Sequence, residues 1–150
     1  MIVEILALAS AAAAQCPPAN EADVRQEFGA WVRAYQAHDL AGTMAIFAPE
    51  VRFEFQGAPD ASWSDLKQSY AQEFARPGGA IWIPHWDDIR VSGKIAAAFS
   101  LWQAFLTKPD GTKELRATNR SVDVLRRGTD CRWRIFRSLT YPVKPSPAAK

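Results

Sequence analysis

A few side chains stand where their type and spacing allow chemistry. His85 lies in Pro84-His85-Trp86-Asp87-Asp88, directly upstream of two carboxylates. A carboxylate can fix the tautomer of an imidazole and make the two an acid/base pair. On a strand only Asp87 shares the face of His85, and Asp87-Asp88 also reads as a turn. His38 precedes Asp39 at a helix end, where a cation is favoured by the helix dipole. The other reading of His38 is a base held by that carboxylate. Arg120 precedes Val122 and Val124 at period two, so a regular strand gives all three one inward face. An arginine in apolar surroundings must meet a carboxylate, either an internal one such as Asp123 or Glu54 or one carried by a ligand.

Other chemistries are not encoded. Two histidines and two cysteines do not make a zinc constellation. There is no nucleophile elbow, glycine-rich phosphate loop or run of spaced calcium carboxylates. Neither a metal nor a cofactor is therefore expected. Arginines 116, 120, 126, 127, 132, 134 and 137 form a basic run near aromatics, a pattern compatible with nucleic acid. Glu114, Asp123 and Asp130 are interspersed, however, and the run spans two strands. It reads as a solvated sheet face, with no nucleic-acid partner.

The cysteines depend on the compartment. Residues Ile2 to Ala14 form an apolar stretch ending in small residues, which resembles a secretory signal cleaved after Ala14. Glu4 inside it and the lack of a basic residue before it depart from that pattern. Export to the periplasm or medium would place Cys16 and Cys131 in an oxidising compartment, where an even count favours one disulfide. Such a bond would tie the N-terminal arm to a late strand. The entropic model assigns about 4–5 kcal/mol to a loop of this length, as an upper figure.

Periodicity places these residues on elements. Phe28, Trp31, Val32 and Tyr35 make one apolar stripe of a helix that begins near Glu21. Asp39 caps a second helix, Leu40 to Phe47, which Ala48-Pro49-Glu50 ends. Val51, Phe53 and Phe55 alternate with polar residues as a half-buried strand. Leu66, Tyr70 and Phe74 mark a third helix, Ser64 to Ala75, stopped by Arg76-Pro77-Gly78-Gly79. Strands follow: Ile81 to Ile83, confined by Pro84 to an edge or bulge, then Ile89 to Val91 and Lys94 to Thr107. Pro109-Asp110-Gly111 turns into Glu114 to Arg127, and Gly128 to Asp130 turns into Trp133 to Tyr141. Helices before a run of strands imply an α+β fold, about three N-terminal helices covering one face of a curved antiparallel sheet. The space between them would be a cone. One domain is expected over residues 20–143, with a disordered tail at 144–150.

Composition agrees with this architecture. The chain has 150 residues, 48% apolar and 23% charged, with a net charge of +2. A chain this long buries about two thirds of its unfolded surface and needs no metal to build a core. No apolar run reaches the roughly 18 residues of a membrane span, so stable membrane insertion is not expected. Six Trp, eight Phe and three Tyr indicate a thick core or a ring-lined pocket. Trp102 alternates with Ala98, Ser100 and Ala104, and large beside small suits both a cavity wall and a packed core.

The order of these segments resembles the nuclear transport factor 2-like superfamily, which includes ketosteroid isomerase and the SnoaL-like polyketide cyclases. The resemblance rests on Trp31-Val32-Arg33-Ala34-Tyr35-Gln36-Ala37-His38-Asp39-Leu40 and on Ile46-Phe47-Ala48-Pro49-Glu50-Val51. It continues in Arg120-Ser121-Val122-Asp123-Val124-Leu125, Trp133-Arg134-Ile135 and Thr140-Tyr141-Pro142. It covers nearly all of the chain beyond the N-terminal stretch. It implies a conical sheet lined by Trp31, Tyr35 and Phe55, and pairing of two copies through the outer sheet face.

The steroid-isomerase residues do not carry over. That chemistry needs a carboxylate base with a Tyr and a protonated Asp as donors. The family's Tyr position falls on Trp31 and its base position on Phe55. Asp123 lies near the third position, and Tyr35 is one helical turn from Trp31 on the same face.

Two functions follow from this reading. The first is an exported protein whose aromatic pocket of Trp31, Tyr35, Phe55, Trp102 and Arg120 binds or transforms a small hydrophobic molecule, with or without a carboxylate. Tyr35, Asp123 and His85 are its catalytic candidates, for metal-free acid–base chemistry of the isomerase, lyase or cyclase kind. The second is a non-catalytic module that dimerises or holds a protein partner through the outer face.

Overall fold

The computed structural model describes residues 16–144; the signal-like stretch 1–14 and the tail beyond Lys144 lie outside them. Helix α1 spans Glu21–Gln36 and opens on a capping box, in which the Asn20 side chain accepts from the Asp23 backbone N–H and the Asp23 carboxylate accepts from the Asn20 backbone N–H. That pairing satisfies donors the first turn leaves free. Val24, Phe28 and Tyr35 of its apolar stripe are buried. His38 ends the helix in the left-handed region at φ 55. Asp39 then caps α2, Leu40–Met44, by accepting from Gly42 N. A Cβ on Gly42 would lie 2.8 Å from the Ala34 methyl, so this close approach of α2 to α1 requires glycine. Ser62 and Asp65 form a second capping box for α3, Trp63–Phe74.

Five strands follow or interrupt these helices: β1 Phe47–Phe55, β2 Ala80–Ser92, β3 Ile95–Thr107, β4 Lys113–Arg127 and β5 Trp133–Pro142. Their order in the sheet is β1-β5-β4-β3-β2. The last four strands form an antiparallel meander, while β1 lies parallel to β5. The sheet is therefore mixed rather than wholly antiparallel. Parallel neighbours need a long crossover, and α3 with three intervening strands supplies it. The sheet stays open and the helices lie on one side of it, as an α+β cone.

Three features differ from the sequence reading. The second helix stops at Met44, and Phe47 already belongs to β1 with Pro49 inside the strand. Strand β2 runs unbroken through Pro84, and Asp87-Asp88 is an irregularity in its pairing with β3 rather than a turn. Both prolines sit on the outermost strands, where a missing N–H can face away from the ladder.

The third departure reverses a face. On β4 the buried set is Asn119, Ser121, Asp123, Leu125 and Arg127, while Arg120 is exposed. Arg120, Val122 and Val124 do share a face, and it is the outer one. Phe99, Val122 and Leu139 are register partners across β3, β4 and β5 on that face, and Phe99 and Leu139 are exposed there. Ser121 and Asp123 are tolerated inside because they bond to each other and to Thr140 and Ser138 of β5.

The core joins Val24, Phe28, Met44, Leu125, Trp133 and Ile135 between helices and sheet. At its lower end Cys16 and Cys131 form a disulfide, with Cα atoms 5.4 Å apart. Arg127, counted with the solvated arginines in the sequence, is only 8% exposed. Its guanidinium donates to Pro17 O at 2.6 Å and to Cys131 O at 3.2 Å, and lies 3.6 Å from the Asp23 carboxylate. Two links, the disulfide and the Arg127 hydrogen bond to Pro17, thus hold the N-terminal arm to the β4–β5 turn.

Candidate functional site

Between α1, α3 and the inner face of the sheet lies a cavity of about 190 Å³. An apolar cavity of about 150 Å³ admits benzene, so this one has room for a one-ring compound. The helical stripe of α1 aims Trp31 and Tyr35 at it, because residues four apart share a face. From the sheet, Trp102 meets Trp31 edge-on at 5.4 Å between centroids. Phe55 and Trp82 enter from the two edge strands, and Tyr70 of α3 packs against Trp31 and Tyr35. Ala98, Ser100 and Ala104 are buried on the same strand as Trp102.

The cavity has two polar groups of side chains. On the helix side, the Tyr35 hydroxyl donates to the Glu73 carboxylate. Burial, with Glu73 adding to it, holds the Tyr35 phenol well above its ordinary pKa. Tyr70 is raised in the same way, chiefly by burial, with Tyr35, Glu73 and Asp123 as smaller contributors. On the sheet side, Asp123 is 3% exposed. Its carboxylate accepts from Ser121 Oγ at 2.7 Å and from Ser138 Oγ at 2.6 Å. Burial pushes the Asp123 carboxyl up to about 6, against the Ser138 and Ser121 hydroxyls that hold it down. Thr140 Oγ1 donates to Ser121 Oγ at 3.3 Å and extends the chain of hydroxyls along the wall. Asp123 is thus a buried carboxyl that changes charge close to neutral pH, the property an acid/base group requires.

Trp31, Tyr35, Phe55, Trp102 and Asp123 all line this one cavity. Arg120 and His85 do not. Arg120 points to the outer face and pairs with Asp87 of β2. His85 is also exposed there, its Nε2 2.9 Å from Gln103 Oε1, so Asp87 serves the arginine rather than the histidine. Arg120 follows the reversed face of β4, and on β2 the alternation turns Trp82 and Trp86 toward the core and His85 away from it. His38 stacks on Phe74 at 4.9 Å outside the chamber.

The sequence reading missed Glu73, Tyr70 as a wall residue, and the serines around Asp123. Glu73 lies three residues after Tyr70 and seven after Leu66, which places it on the flank of the same helical stripe. Asn119, Ser121 and Asp123 alternate along β4 as Ser138 and Thr140 do along β5. Two matching polar alternations on neighbouring strands are a signal for a polar inner wall. Among the described residues no cluster of three or more His, Cys, Asp or Glu is placed to hold a metal.

An open curved sheet folded over three helices around an aromatic chamber defines the nuclear transport factor 2-like class. The chain belongs to the SnoaL-like domain family, whose model matches residues 19–138. Comparison with curated proteins finds no match. Among solved structures it is similar to a ketosteroid isomerase-like protein from Erwinia carotovora atroseptica, with 20% identity and a TM-score of 0.66 over 85% of this chain and 100% of that one. It is similar to a nuclear transport factor 2-like protein with a cystatin-like fold from Novosphingobium aromaticivorans, with 16% identity and a TM-score of 0.67 over 85% and 84%. A structure from Catenulispora acidiphila in complex with S-DNPA matches at 17% identity and a TM-score of 0.69 over 81% and 91%. At these identities the likeness is one of fold.

Proposed function

We infer that this chain binds a small hydrophobic molecule in the cavity, and that Asp123 exchanges a proton with it. One observation carries the reading: Asp123 and the Tyr35–Glu73 pair open into the same ring-walled chamber. Aromatic walls supply the binding through buried area, and a few fixed polar groups orient the ligand. The polar groups suit acid–base chemistry of the isomerase, lyase or cyclase kind. The residues at the steroid-isomerase positions, Trp31 and Phe55, bind rather than react. The complex of the Catenulispora acidiphila protein with S-DNPA supports the fold as a ligand holder. The test is native mass spectrometry of the purified full chain, followed by a fluorescence titration with any compound retained. Loss of that compound from Phe55→Ala, with unchanged circular dichroism, supports the reading. Retention by Phe55→Ala and Trp102→Ala alike would place the compound elsewhere.

Two further readings accompany it. Export fits the Cys16–Cys131 disulfide, since such bonds persist in oxidising compartments. No helix among the described residues is long and apolar enough to cross a membrane. The mass of protein recovered from the periplasm tests cleavage after Ala14. Homodimerisation through the outer face fits the exposed apolar side chains there, Phe99 and Leu139 among them. This face, not the cavity, is where a protein-interaction module would work.

A further inference from the structure

The cavity separates charge in an unusual way. The chain carries eighteen Lys and Arg. Among the described residues that line the cavity, none is Lys, Arg or His, yet two are carboxylic acids, Glu73 and Asp123. Elsewhere many of the acids are matched, among them Asp87 with Arg120, Glu50 with Arg126, Glu27 with Arg132 and Asp130 with Arg134. Inside, the two carboxylates meet only hydroxyls, from Tyr35, Ser121 and Ser138. Hydroxyl donors stabilise a buried anion in part, and a cation beside it completes the compensation. Much of the rest of the wall is aromatic, Trp31, Tyr70, Trp82 and Trp102 among its residues. Ring faces carry negative potential and attract ammonium groups, most strongly where water is excluded. Carboxylates and ring faces therefore favour the same sign of ligand. With Arg120 on the outer face, no cationic side chain among the described lining residues is left to meet a ligand carboxylate, and the donors there are neutral ones such as the unpartnered Trp31 Nε1.

We propose that the ligand is an organic ammonium ion, an apolar group bearing a protonated or quaternary amine, held between Glu73, Asp123 and the aromatic wall. This rests on the reading that the cavity is a small-molecule site and names the chemistry of the molecule. The apolar part occupies the space beside Trp102, and the cationic end faces the two carboxylates. An anionic ligand meets repulsion from both.

Three probes of one skeleton test it: phenylpropylammonium, phenylpropanol and phenylpropanoate, titrated into the full-length oxidised chain by calorimetry and tryptophan fluorescence. The titration is run at about pH 8, where Asp123, raised to about 6 by burial, is ionised. The ammonium is expected to bind about tenfold tighter than the alcohol or better, and the carboxylate most weakly. Glu73→Gln and Asp123→Asn are each expected to weaken the ammonium several-fold and to leave the alcohol unchanged. The net positive charge of the chain works against any general attraction for cations, so a preference for the ammonium is local. An alcohol or carboxylate that binds as tightly as the ammonium in the unaltered protein overturns the proposal and leaves the cavity reading standing. Failure of all three to bind overturns both.

Discussion

Ser138 reaches from β5 to its register partner on β4 and donates a 2.6 Å hydrogen bond to Oδ1 of Asp123. Ser121 holds the other oxygen, so the carboxylate is fixed at both ends on the inner wall of the sheet. This clamp rather than an ion pair is what makes burial of Asp123 tolerable. It leaves the group costly when ionised.

The cost appears as a pH dependence. The folded Asp123 titrates near 6 against an ordinary value of 3.8, so the folded state holds the proton more tightly. Stability from this group is fully present below the ordinary value and falls as pH rises through about 6, by about 2–3 kcal/mol in all. Asp123→Asn should remove that fall. Thermal unfolding of both proteins from acid to neutral pH measures it: the difference between them should grow in favour of Asn as pH rises. Parallel curves would show that Asp123 is not perturbed.

Tyr35→Phe deletes the hydroxyl that Glu73 accepts while keeping the ring in the cavity wall. Glu73 is partly exposed and can turn to water, so the loss should be about 1 kcal/mol. Urea unfolding should show a lower midpoint with an unchanged slope. Ammonium binding should persist, because the carboxylate remains.

The disulfide closes a loop with a sequence separation of 115 residues. Reduction, or Cys131→Ser, should lower stability by about 2–5 kcal/mol in denaturant. The Arg127 bonds to Pro17 and Cys131 should keep the arm docked in the reduced protein under native conditions. Hydrogen exchange at residues near Val24 reports this directly. Exchange there as fast as in an unfolded chain would show that the disulfide alone holds the arm.

On the outer face, Leu139→Glu introduces a charge beside Val122, its partner across the ladder. Sedimentation velocity should then show a dimer for the unaltered chain and a monomer for the variant, with the melting behaviour of the isolated fold retained. A single species of monomer mass for both proteins would leave this face without a self-association role.

Much of the architecture was legible along the chain because it is local. A stripe of Phe28, Trp31, Val32 and Tyr35 can only be a helix face, and Arg76-Pro77-Gly78-Gly79 stops a helix whatever lies nearby. The wall residues Trp31, Tyr35, Phe55 and Trp102 were visible for the same reason. Periodicity says which residues share a face, and the family pattern says that the face is a cone. Which face of β4 turns inward was a different kind of question. Hydrophobicity favoured Val122 and Val124 inside, with Arg120 beside them. Asp123 instead finds Ser121 on its own strand and Ser138 on the next, and that pairing across strands turns the polar side inward. The meeting of Glu73 with Tyr35, thirty-eight residues apart, likewise exists only after α3 packs near α1. Local sequence determined the elements and their faces; long-range pairing decided which face became the site and what charge it carries.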